Sequence, residues 1–71
     1  MLTKEELLES VHKELLQMLA EQPEADLMTV GKWAKDKLNH LKKCEKIPEY
    51  WQISITLNRY DEWILMIEDE L

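Results

Sequence analysis

Between Tyr50 and Leu71 the chain carries two incompatible periodicities, and the choice between them decides its architecture. Tyr50, Ile53, Leu57, Tyr60, Ile64, Ile67 and Leu71 are spaced 3, 4, 3, 4, 3, 4, which is the rhythm of one face of a helix. Pro48 suits the first turn of such a helix, where its missing N–H costs nothing. Over the first half of the same stretch, Trp51, Ile53, Ile55 and Leu57 alternate with Gln52, Ser54, Thr56 and Asn58. That is the period of a half-buried strand, and its β-branched residues favour a pleated surface. On the strand reading, Asn58 caps a short helix over 59–71. No second strand stands out elsewhere. A strand over 50–57 would therefore leave both edges unpaired and would have to pair across a dimer. The helical reading needs no such partner and is the one preferred.

The first two segments are simpler. Thr3 followed by Glu6 forms the T-x-x-E capping box, whose reciprocal hydrogen bonds satisfy the first free N–H groups of a helix. Leu8, Val11, Leu15 and Met18 follow at helical spacing, and Leu7, Leu16 and Leu19 widen the stripe. This predicts a helix over 4–21 that ends before Pro23. Asp26 or Thr29 can cap a second helix over 27–45, with Leu27, Val30, Ala34, Leu38 and Leu41 on one face. Gly31 weakens that helix by about 1 kcal/mol relative to alanine. Ile47 precedes Pro48 and is biased away from helical angles.

The expected fold is thus all-α and a single small domain over 1–71. It has a helical hairpin (4–21 and 27–45) and a longer C-terminal helix. The alternative is two helices plus one strand (50–57) paired across a dimer, then a short helix. On the helical wheel Trp51, Ile55 and Leu65 fall opposite the Tyr60 stripe with Met66 nearby, and Trp33 flanks the Ala34–Leu38 face. Three short helices cannot bury both sides of the last one. A chain of 71 residues buries only about 60% of its unfolded surface in any case. The surplus apolar face predicts a homodimer.

Charge is sorted along the chain. Residues 1–26 carry a net −5, residues 27–46 a net +4 and residues 47–71 a net −5, giving −6 in all. A basic middle helix between two acidic segments is complementary within the fold. The alternative use of Lys32, Lys35, Lys42 and Lys43 is to meet phosphate, though a net negative chain is a poor general nucleic-acid binder. "MTVGKWAKDKL" (Met28 to Leu38) has some character of a helix-turn-helix, but Gly31 stands too early in the helix for its turn. The single cysteine, Cys44, excludes an internal disulfide and fits a reducing, cytoplasmic compartment. No apolar run is long enough to span a membrane, and no leader peptide is evident at the start.

Few residues suggest chemistry. Asp36, His40 and Cys44 follow at i, i+4 and i+8, a spacing that could align a carboxylate, an imidazole and a thiol for a metal or an activated thiolate. Three such residues recur by chance on helices, and no glycine-rich loop supplies an oxyanion site. His12 lies one step off the first apolar stripe and reads as an exposed or interface residue. No cofactor and no enzymatic activity are expected. The expected role is binding another protein, as an adaptor, chaperone-like subunit or inhibitor. Trp33, Trp51, Ile55, Trp63 and Met66 would be the apolar anchors, because aromatic residues dominate interface energy. Glu62 and Asp69 would form an acidic rim that steers a basic partner. The alternatives are a dimeric regulator that touches nucleic acid through segment 32–46, or an acidic mimic of DNA that blocks a DNA-binding protein.

Overall fold

The computed structural model describes residues 2–58 and 62–69. Helix α1 runs Lys4–Glu21 and helix α2 runs Leu27–Lys43. Strands β1 (Trp51–Leu57) and β2 (Trp63–Asp69) then pair antiparallel in a two-stranded sheet. A helical hairpin packs on a β-hairpin, with α2 against β1 and α1 against β2.

Both helices begin at the expected caps. The Thr3 side chain accepts from the Glu6 N–H at 3.1 Å while Glu6 Oε1 accepts from the Thr3 N–H at 3.3 Å. Asp26 caps α2 by accepting from the Thr29 N–H at 2.8 Å, which holds its carboxyl below the usual 3.8. α2 stops at Lys43, slightly earlier than expected. Lys46 N–H reaches back to Leu41 C=O and Glu45 N–H to Lys42 C=O, the paired bonds of a Schellman turn. Glu45 occupies its left-handed position, with φ 57°.

The all-α expectation is overturned at the C-terminal segment. Trp51–Leu57 is a strand, as the alternative reading held, but its partner is Trp63–Asp69 of the same chain. Neither the long third helix nor a helix over Trp63–Asp69 forms, and the fold is not a helical bundle. Residues 59–61 and 70–71, on which part of both helical readings fell, lie outside the described residues. The pairing register runs from Trp51 opposite Asp69 to Leu57 opposite Trp63. Trp51, Ile53, Ile55, Leu57, Trp63, Leu65 and Ile67 therefore share one face of the sheet. All are odd-numbered, so period two runs through both strands in one phase. The 3–4 spacing arose because Ile64, on the opposite face, falls by chance on a helical count from Leu57 and Ile67.

The core lies between this face and the helices. It joins Leu7, Val11, Leu15 and Met18 of α1, Val30, Ala34 and Leu38 of α2, Ile47, Trp51 and Leu65. A two-stranded ribbon alone is marginal in water, so the helices are what stabilise it. The N-terminus is pinned by Leu2 N–H to Lys46 C=O at 3.1 Å. Lys4 Nζ lies 2.6 Å from Asp69 and 5.7 Å from the Trp51 ring centre, closing one end of the sheet onto α1. Lys37 joins α2 to Glu14 of α1 at 2.7 Å, as the complementary charge pattern anticipates. Because β1 finds its partner inside the chain, the strand itself does not require a second copy. Among the described residues no helix is long and apolar enough to cross a membrane.

Candidate functional site

The capping box and the apolar stripe set the rotation of α1. Leu7, Val11, Leu15 and Met18 point into the core. Glu5, Leu8, Glu9, His12 and Leu16 consequently lie on the flank that overhangs β2. Three adjoining cavities follow this flank. One of about 390 Å³ lies between His12, Leu15, Leu16, Glu62 and Trp63. The next, about 300 Å³, shares His12 and adds Glu5, Leu8, Glu9 and Leu65. The third, about 220 Å³, shares Glu5, Leu8 and Leu65 and ends at Lys4, Met66 and Ile67. Their shared walls make one trough, roughly 18 Å long along α1 from Lys4 to Leu16.

The trough has an apolar floor and a charged rim. Leu16 is 55% exposed and Met66 54%, so both present apolar surface to solvent. Glu5, Glu9 and Glu62 form no ion pair among the described residues. Glu62 is oriented by the hairpin end. Its carboxylate accepts from Asn58 Nδ2 at 3.1 Å, its N–H donates to Asn58 Oδ1 at 3.0 Å, and its C=O accepts from Asn58 N–H at 2.9 Å.

The backbone bond between Asn58 and Glu62 also fixes which edge groups are free. It makes that pair hydrogen-bonded, so the alternate pairs 57/63, 55/65 and 53/67 are not. The N–H and C=O groups of Trp63, Leu65 and Ile67 therefore point outward from β2, away from β1. Trp51, in the same phase on β1, behaves accordingly: its N–H turns away from β2 to Pro48 C=O at 3.4 Å. The outward groups of β2 have no partner among the described residues.

The expected anchor residues are dispersed. Trp63, Met66 and Glu62 line the trough. Trp51 is only 7% exposed and belongs to the core. Ile55 packs half-buried against that core. Asp69 is exposed but engaged by Lys4. Trp33 is half-buried on the other side of α1, where it shares a cavity with Glu14, Met18, Glu21 and Lys37. His12, expected to be an exposed or interface residue, is exposed and lines the trough. The missed residues are Glu5, Leu8, Glu9 and Leu16. Their signal was the extra width of the first apolar stripe, beyond what one buried face needs. Lys32, Lys35 and Lys43 are exposed on the outer side of α2 with Lys42 half-buried, and none of the four forms an ion pair among the described residues. Cys44 Sγ lies 3.9 Å from His40 Nε2 in an exposed position. Among the described residues no group of three or more His, Cys, Asp or Glu side chains is placed to hold a metal.

No protein-family model matches this chain, and no curated protein or experimental structure is detectably similar to it.

Proposed function

We propose that this chain is a non-catalytic protein-binding module and that the trough between α1 and β2 is its recognition surface. The observation that carries this reading is the trough itself. Its α1 flank exposes leucine, Met66 stands exposed at one end, its walls include an aromatic ring, and its rim bears three carboxylates that form no ion pair among the described residues. Apolar contact supplies the affinity of such a surface, and the rim supplies orientation and rate of encounter. An adaptor, a chaperone-like subunit or an inhibitor would each use it in this way. The test is retention of a partner from the native cell extract by immobilised protein. Leu16→Glu places a charge on the exposed floor and should abolish retention, whereas Lys35→Glu on α2 should preserve it. Equal retention by both variants refutes the assignment to the trough.

A second reading rests on the four lysines of α2. Grouped on the outer side of one helix and forming no ion pair among the described residues, they offer a surface for phosphate, through which the chain would act as a nucleic-acid-linked regulator. Binding of duplex DNA that weakens steeply with salt and is lost in Lys35→Glu would favour it.

A further inference from the structure

The flank of α1 extends beyond the sheet that supports it. β2 is the last strand on that side, yet Leu8, His12 and Leu16 overhang the space where a third strand would lie. Beneath them, the N–H and C=O groups of Trp63, Leu65 and Ile67 point outward without partners among the described residues. A strand laid here would satisfy both deficits at once. Its backbone would complete the ladder, and its side chains would cover the apolar flank.

Resting on the protein-binding reading of this trough, we propose that its occupant is an extended segment of a partner protein, rich in lysine or arginine, which adds to β2 as a third strand. The choice of a basic occupant follows from charge. Glu5 and Glu9 stand above the added strand and Glu62 at the hairpin end, and none forms an ion pair among the described residues. Long basic side chains lay their stems on Leu8 and Leu16 and their charged ends at Glu5 and Glu9. Apolar side chains on the opposite face of the new strand extend the exposed pair Ile64 and Met66. A second copy fits less well. Two β2 strands paired antiparallel about Leu65 would bring Glu62 of each opposite Glu68 of the other, so like charges would meet across the ladder.

The test uses the purified chain and a blocked synthetic peptide of about eight residues alternating valine and lysine, a length that spans β2. We expect one-to-one binding and slowed hydrogen exchange at the Leu65 and Ile67 amides. We expect affinity to fall by about tenfold or more in the Glu5→Lys/Glu9→Lys variant. The valine–glutamate counterpart should not bind. Methylating one alternate set of peptide nitrogens should abolish binding, and methylating the other set should leave it intact, because only one set faces β2. Binding that perturbs Trp63 but tolerates both methylations and leaves the two amides unprotected overturns strand addition while sparing the trough as a binding surface. Absence of any binding by the lysine peptide overturns the proposal. So does a dimer already present at low ionic strength by light scattering, with the Leu65 and Ile67 amides slow to exchange before peptide is added, which would make a second copy the occupant.

Discussion

Glu45 shows how a single residue reports on the physics of the whole connection. It sits at φ 57° in the left-handed position of the turn that ends α2, where a side chain costs about 1–2 kcal/mol and glycine does not. Glu45→Gly should raise stability by roughly 0.5–1 kcal/mol after the added freedom of the unfolded chain is subtracted, seen as a higher urea midpoint. Gly31 is the converse case. It lies within α2, and a Cβ added there would meet no atom within 4 Å. Gly31→Ala should therefore stabilise by about 0.5–1 kcal/mol. Asp26 adds a pH term. The Thr29 backbone N–H, followed by the Thr29 side chain, lowers its carboxyl from the usual 3.8. Its contribution is fully present above 3.8 and is lost as pH falls through the lowered folded value. In an NMR titration the Thr29 amide should shift over that acid range, and in Asp26→Asn it should not.

At the scale of elements the sharpest comparison is between Ile64 and Leu65. The helical stripe includes Ile64, but the strand register points it to the open face at 43% exposure and turns Leu65 into the core at 7%. Leu65→Ala should cost about 2–4 kcal/mol, a large share of what a chain this size has. Ile64→Thr should shift stability by less than about 1 kcal/mol, since the β-branched replacement keeps strand propensity on an exposed surface. A larger loss from Ile64→Thr than from Leu65→Ala would contradict the hairpin. The same pair explains what was legible. The two helices could be read because Thr3, Glu6 and Asp26 mark their starts and one buried stripe marks each face. β1 could be glimpsed because its open face is Gln52, Ser54 and Thr56, which makes its alternation visible. β2 was hidden because Ile64 and Met66 occupy its open face, so Trp63 to Ile67 reads as an unbroken apolar run. The sequence between the two strands, from 58 to 62, contains no glycine to betray a hairpin.

At the scale of the whole molecule, the features that concealed β2 are those that recommend it as a surface. Apolar residues on an open face and an unpaired edge are liabilities for an isolated chain. Of the anticipated anchors only Glu62, Trp63 and Met66 line the trough, because burial claimed Trp51 and Lys4 claimed Asp69; the α1 residues could not be assigned to it before β2 was known to lie beneath them. The open edge should be guarded by charge. Glu5, Glu9 and Glu62 surround it, and the chain carries a net −6, so two copies approaching through β2 meet like charges at close range. At low ionic strength light scattering should give the mass of one copy. Salt, which screens exposed charges over about 10 Å at 0.1 M, should then promote association, and Glu5→Lys/Glu9→Lys should promote it without added salt. Association that weakens as salt is added would mean that copies attract through opposite charges, with the lysines of α2 meeting the acidic trough. The edge would then be covered by the basic helix of another copy.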